Sequence, residues 1–528
     1  MQNLTGKDGN GYLYKNQARM YNWTSNGTLN YTKQLFDGDL SALLGFEANK
    51  SNSSFIRASA FNFPNDYVRE LSMALLANTR SSGNTNENGT LSSFGRLSYL
   101  WKEKYNVSFS FRRDGDSDFG QDVKWANFYA VGGAWTVSNE EFWKNNVPKD
   151  INFLKFKVSY GTTGNGRFNG NYAKGIYSFD DANGYGNVVG ATMSRGRNNA
   201  LKWETTYKFN AGLDLTLFNR INVGLEYYRD VTNDLISDAT VSLTTGQRSV
   251  YLNNGKLRNT GLETIIRTTN IENGNFSWTT NFNLSFNRNK VLSLATDVGQ
   301  SNLTSIMQVG GDTRAIYLVR WAGVDPSTGD PMWYDANGNI TKLFDLNNRV
   351  VIGRPNPDFY GGITNLISYK GFNLSFLLLY TQGGLALSPL FNEAGHDGLN
   401  ILSTNLSTDL LDHWRYPGDL SVNPRLSAVS TSSNRTSTRY LLDRSNIQLK
   451  NISLEYKLPD HFVKKGFLKR AVVYVMADNV AMWTPYRTSK RNNLGNGQYE
   501  TIRLNTYANS FGGVPAQASY SAGVNLTF

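Results

Sequence analysis

Apolar and polar residues alternate with a period of two along most of the chain. Phe276, Trp278, Phe282, Leu284 and Phe286 share one phase, while Ser277, Thr279, Asn281, Asn283, Ser285 and Asn287 hold the other. The same pattern runs through Tyr207/Phe209/Ala211/Leu213/Leu215/Leu217, Tyr105/Val107/Phe109/Phe111, Ile221/Val223/Leu225/Tyr227, Phe372/Leu374/Phe376/Leu378/Tyr380 and Tyr520/Ala522/Val524/Leu526/Phe528. In Ile447/Leu449 followed by Ile452/Leu454/Tyr456/Leu458 the phase slips at Lys450-Asn451, where a β-bulge restores one face. Read this way, the chain carries roughly fifteen strands. They lie at about 28–36, 40–50, 91–101, 105–113, 125–137, 151–161, 201–218, 220–230, 256–270, 275–289, 358–370, 371–382, 437–457, 470–482 and 515–528.

A soluble sandwich alternates too, so the connections must decide. Phe36–Asp39, Lys102–Lys104, Phe218–Arg220, Ile271–Gly274 and Lys370-Gly371 are tight. Between them fall long segments at about 51–90, 162–200, 231–255, 290–357, 383–436 and 483–514. Short and long connections in alternation put all long loops at one end. That is the topology of a transmembrane antiparallel β-barrel, with short periplasmic turns and long extracellular loops. Apolar phases then face lipid and polar phases the lumen. Ser519–Phe528 is an alternating strand that ends on an aromatic residue, and it resembles the terminal strand recognised by outer-membrane assembly machinery.

Composition narrows the alternatives. Among 528 residues aromatics make up 13% and charged residues only 18%, the deficit being filled by Asn, Ser, Thr and Gly, which suits strands and polar turns. No cysteine is present, which excludes disulfides, zinc–thiolate sites and thiol nucleophiles. The net charge of +11 is scattered, with no basic run longer than two residues, so a solvated surface explains it and no nucleic-acid partner is expected. No segment approaches the ~18 apolar residues of a spanning helix. Met1–Lys7 has no apolar h-region and does not read as a signal peptide.

Blocks in fixed order resemble the SusC-like (RagA-type) TonB-dependent outer-membrane transporters. They are Arg112–Gly115 with Phe119-Gly120, Trp135 with Ser138–Phe142, Leu154–Asn165, Leu201–Glu204 and Glu226–Tyr228. Further on stand Asn259–Glu263, Ala322–Pro331, Gly353–Gly362, Leu449–Leu454 and Asp478-Asn479. The resemblance implies a barrel of about 22 strands closed by a plug. It also implies an energy-coupling segment that meets TonB and a SusD-like surface lipoprotein as lid. Residues 1–528 are therefore expected to be a C-terminal portion of such a barrel, with signal peptide, plug and N-terminal strands not represented.

The expected activity is active import of oligosaccharides or other large nutrients at the Gram-negative outer membrane, without covalent chemistry or cofactor. A peptide importer of the same family, a passive porin-like barrel and a soluble glycan-binding β-protein are the alternatives. Aromatic rings stack on sugar C–H faces, so Tyr172, Tyr177, Phe179 and Tyr185, and separately Trp414 and Tyr416, are candidate substrate contacts on external loops. The simpler account is that they pack the loops or form an interfacial girdle. Asp114, Asp116 and Asp118 open like a calcium loop, but Phe119 replaces the required Gly and Trp125 the final Glu. A weak divalent-ion site there competes with a solvated turn. His396, His413 and His461 show no metal-ligand spacing, and nothing reads as a hydrolase motif or P-loop.

Overall fold

The computed structural model describes residues 12–63, 67, 70–74, 78–166, 173–185, 188–246, 249–294, 300–301, 303–388, 395–459, 461, 468–484, 491–493, 499–501 and 517–528. Fifteen strands join one sheet in chain order. They are Tyr12–Leu35, Gly38–Phe61, Thr79–Trp101, Tyr105–Asp116, Trp125–Thr136, Ile151–Asn165, Glu204–Leu217, Ile221–Thr240, Ser249–Asn273, Phe276–Ser293, Phe359–Tyr369, Phe372–Gln382, Asn446–Lys457, Arg470–Trp483 and Ser519–Thr527. Each expected strand has its counterpart. The chain divides into two compact units, residues 1–134, 159–208 and 232–254 in one and 135–158, 209–231 and 255–528 in the other. Among the described residues no helix is long and apolar enough to cross a membrane.

In the first unit Phe36 and Asp37 both take positive φ (47° and 60°), the two-residue turn whose twist matches its flanking strands. Cross-strand partners then place Ala42, Leu97 and Phe109 in one row and Leu40, Tyr99 and Val107 in the next. Ser41, Ser98 and Ser108 occupy the opposite face. Val107, Phe109 and Phe111 are 57%, 51% and 43% exposed, while the intervening Asn106, Ser108 and Ser110 are half-buried. Water-soluble strands do the reverse. An apolar face left bare in this way suits a wall that meets lipid.

The apolar face covers Leu91–Trp101 of its strand, and a tilted membrane strand needs about 9–11 residues. Thr79–Thr90 continue the same strand, paired with Asn49–Ala60, but are polar on both faces. The sequence expectation of strands at 28–36, 40–50 and 91–101, with a loop over 51–90, is corrected accordingly. The loop shrinks to residues 62–78, because alternation reports the apolar band and backbone pairing continues beyond it.

The second unit repeats the arrangement. Trp278, Ile367, Leu374, Leu454, Val475 and Ala522 form one row through consecutive pairings, and Ser277, Ser368, Asn373 and Glu455 the adjacent polar row. Phe276, Phe282, Leu284 and Phe286 share the face of Trp278, as the phase requires. The expected bulge is present: the register shifts between Leu449 and Asn451, leaving Lys450 out of the ladder. Its ammonium donates to Asn479 Oδ1 at 2.5 Å.

The tight turns of this unit meet at one end. Phe218 N–H donates to Asp150 O at 2.6 Å, Thr269 N–H to Arg220 O at 2.8 Å, Lys370 N–H to Asn275 O at 3.1 Å and Lys457 N–H to Gly371 O at 2.8 Å. The Phe276–Ser293 strand leaves that rim, so the loop that follows it emerges about 60 Å away. The length rule is looser than expected. Residues 137–150 and 458–469 are long for the turn end, while 117–124 and 241–248 are short for the loop end.

Candidate functional site at the loop end

In the second unit the two longest connections fold onto each other. Residues 300–353 build a small sheet of six strands, among them Ala315–Val324, Pro331–Tyr334 and Arg349–Gly353, around fully buried Leu318, Val319 and Trp333. The second connection grips it. Trp414 donates through Nε1 to Pro326 O at 2.9 Å, and Gly418 N–H donates to the same carbonyl at 2.7 Å. Arg425 pairs with Asp330 at 3.0 Å, and Trp321 N–H donates to Thr438 Oγ1 at 2.9 Å. Gly329, at φ +71°, lies under the Trp414 ring, where a Cβ would stand 2.4 Å from Cε3. The turn of Asp325–Asp330 is closed by Lys342, whose ammonium bonds Asp325 and holds that carboxyl far below the ordinary range.

A cavity of ≈ 830 Å³ lies where this platform meets the ends of the strands. Arg229, Arg258, Arg288, Lys290 and Arg354 line it against two carboxylates, Asp312 and Asp358. Asp358 is bound by Arg354 and by Arg288 at 2.9 Å, which lowers its pKa. Asp312 is held by Arg314 N–H at 2.9 Å and by Asn356 Nδ2 at 3.2 Å.

The first unit has its own loop-end knot. Phe119 stacks on Trp203 with ring centroids 4.6 Å apart, and Phe128 meets the same indole edge-on at 5.8 Å. Trp203 Nε1 donates to Lys124 O at 2.9 Å, and Gly120 N–H donates to Leu201 O at 2.9 Å. A Cβ on Gly120 would fall 1.8 Å from Asn199 O, so no other residue fits there. Glu204 is buried and accepts from Asn165 Nδ2 and Ile236 N–H at 2.9 and 2.7 Å. Three sequence blocks, at 119–120, 162–165 and 201–204, are thus one structural unit.

The candidate residues separate. Tyr172 lies outside the described residues. Tyr177, Phe179 and Tyr185 stand on the Ile176–Tyr185 strand, in register with Met193, Ala191 and Val188, and Tyr177 is 60% exposed. Trp414 is committed to the loop–loop contact, whereas Tyr416 is 65% exposed. Asp114 gives both carboxylate oxygens to Arg112 Nε, at 2.7 and 2.9 Å. Asp116 and Asp118 are buried beyond the apolar band. Burial pushes Asp116 up to about 6 and raises Asp118 as well. Asp116 Oδ1 accepts from Asp118 N–H at 2.8 Å and from Asn88 at 3.1 Å. Among the described residues no group of three or more His, Cys, Asp or Glu has metal-holding geometry. The basic cavity escaped the sequence reading because its cations come from several separate segments. The signal available was a cation following each apolar phase, at Tyr227/Arg229 and Phe286/Arg288/Lys290.

A sheet of antiparallel strands in chain order, with apolar and polar rows alternating across its pairings, is the architecture of a membrane-barrel wall. The model of the family described as "TonB dependent receptor-like, beta-barrel" matches residues 2–302, and the chain belongs to that family. It is 30% identical to TonB-dependent receptor P39 of Formosa agariphila, over 88% of this chain and 49% of that protein. It is 28% identical to TonB-dependent receptor SusC of Bacteroides thetaiotaomicron, over 71% of this chain and 38% of that protein. The structure titled the RagAB peptide importer in the "open-open" state superposes with a TM-score of 0.83 at 25% identity, covering 100% of this chain and 57% of that one. The chain spans about half the length of the curated relatives it matches. These relatives are named as receptors and, for the RagAB structure, as a peptide transporter.

Proposed function

We propose that this chain forms barrel wall and external loops of an outer-membrane importer of oligosaccharides, acting with a SusD-like lipoprotein and energised through TonB. The carrying observation is the inside-out register of the sheet, with apolar rows bare and polar rows opposite, which suits a wall between lipid and an aqueous lumen. A partner above the loops accounts for their exposed apolar side chains. Leu402, Leu420, Val429, Leu343 and Leu303 are 72–100% exposed on segments that, by the topology, stand in water. Apolar side chains that cluster on a water-facing surface mark a docking site for another protein. Tyr177 and Tyr416 are the rings best placed to stack on a solute, being exposed and on loop-end segments.

Peptide import is the second reading, favoured by the similarity to the RagAB structures, which are titled as a peptide importer. The experiment is affinity capture from solubilised outer membranes, followed by mass analysis of what remains bound. Retained glycan with a co-purifying lipoprotein supports the first reading, and retained peptide supports the second. Recovery of the protein from the soluble fraction without detergent would refute both.

A further inference from the structure

The basic cavity of the second unit has charges that the fold leaves uncompensated. Arg258 and Lys290 are direct cross-strand partners in the hairpin Ser249–Asn273/Phe276–Ser293. Like charges in that position repel. Neither has an acidic partner among the described residues, and Arg229, on the neighbouring Ile221–Thr240 strand, lines the same cavity without one. The two carboxylates present are already engaged, Asp358 by Arg288 and Arg354, and Asp312 by Arg314 N–H and Asn356. Five cations against two carboxylates leave an excess of three positive charges around one cavity. Both uncompensated arginines offer planar forks and Lys290 a mobile ammonium, the donor set that suits a tetrahedral oxyanion.

The faces locate the site. Leu262 pairs with Phe286, Thr260 with Arg288 and Arg258 with Lys290, so the cations continue the apolar face where it ends towards the loops. Arg229 follows Tyr227 in the same way along its own strand. A cation placed one step beyond an apolar band sits at headgroup depth.

We propose that this cavity is an oxyanion site that binds a phosphate or sulfate ester group through Arg229, Arg258 and Lys290. The ester belongs to a lipid headgroup or to an anionic solute, and the chemistry required of the site is the same. The occupant relieves the repulsion between Arg258 and Lys290.

The test uses the protein extracted from outer membranes in an uncharged detergent. Titration calorimetry with inorganic pyrophosphate and with inorganic sulfate at low salt is expected to show binding that weakens about tenfold or more in Arg258→Gln and in Lys290→Gln. Binding should fade as sodium chloride rises. Phosphorus analysis separates the sources. Lipid phosphorus that co-purifies with the wild type and is lost in Lys290→Gln assigns the group to a headgroup. Anion binding without co-purifying phosphorus assigns it to a solute. Lys290→Glu guards against misfolding: it should pair with Arg258, keep or raise the midpoint of thermal unfolding, and abolish anion binding. Equal anion binding in wild type, Arg258→Gln and Lys290→Glu overturns the site, as does a wild type with neither anion binding nor co-purifying phosphorus.

Discussion

Arg439 and Asp397 form a bidentate ion pair, Nη1 to Oδ2 at 2.6 Å and Nη2 to Oδ1 at 2.9 Å, with side chains only 9% and 1% exposed. The guanidinium also lies 5.0 Å over the Trp321 ring and donates to Asn423 Oδ1 at 3.1 Å. One buried cation therefore joins three segments of the two longest loops. Breaking such a pair strands a buried charge. Arg439→Gln should destabilise the loop platform by about 3–5 kcal/mol. Trypsin should cut within residues 395–445 much faster in the variant, while the β-sheet signal in far-ultraviolet circular dichroism persists.

The apolar band predicts a face-dependent response to charge. Phe109 pairs with Leu97 near the middle of the band, and Ser108 faces the other way. Phe109→Lys should cost about 2–4 kcal/mol at the bilayer midplane. Ser108→Lys should cost much less. Urea unfolding in lipid vesicles measures both, and equal losses would refute the assignment of faces.

Asp116 predicts a pH dependence. Burial is the main cause that raises its carboxyl from 3.8 to about 6, and the Asp118 carboxylate adds to the rise while Lys174 opposes it. A folded pKa above the unfolded value means that the fold prefers the protonated form. Its stabilising contribution is present below pH 4 and is lost as pH rises through 6. Asp116→Asn keeps an acceptor for Asp118 N–H without the charge. The variant should be the more stable protein above pH 7, by up to about 3 kcal/mol. The difference should vanish near pH 4, as followed by thermal midpoints across that range.

Gly120→Ala tests the knot of the first unit. The methyl has no room against Asn199 O, so the 117–124 loop must shift and unstack Phe119 from Trp203. Overpacking of this kind costs about 1–3 kcal/mol. A red-shifted, more quenchable tryptophan emission is the expected readout, with the rest of the sheet unchanged.

The two exposed tyrosines give a binding prediction. Tyr416→Ala should weaken retention of the captured solute about five- to tenfold, the worth of one stacking ring, and leave loop proteolysis unchanged. Trp414→Ala should instead loosen the platform, because its indole holds Pro326 and covers Gly329. Capture assays run beside trypsin digestion distinguish the two roles.

The strands and their phases were legible in the sequence because a membrane wall imposes a period-two rule on every crossing, as in Phe276/Trp278/Phe282 against Asn281/Asn283/Ser285. Even the bulge at Lys450 could be read, since one slipped residue would otherwise send Ile452 and Leu454 to the polar face. The extensions Thr79–Thr90 and Asn49–Phe61 could not, because both their faces are wet and backbone pairing leaves no mark on side-chain polarity. The loop end was decided by tertiary structure alone. Phe119 and Trp203 are 84 residues apart in the chain, and Trp321 and Arg439 are 118 apart. The cavity likewise joins Arg229, Arg258 and Lys290 from three strands. Periodicity is a local property of one strand, whereas a site of this kind exists only when register brings separate strands to the same height, and that register is fixed by the sheet as a whole.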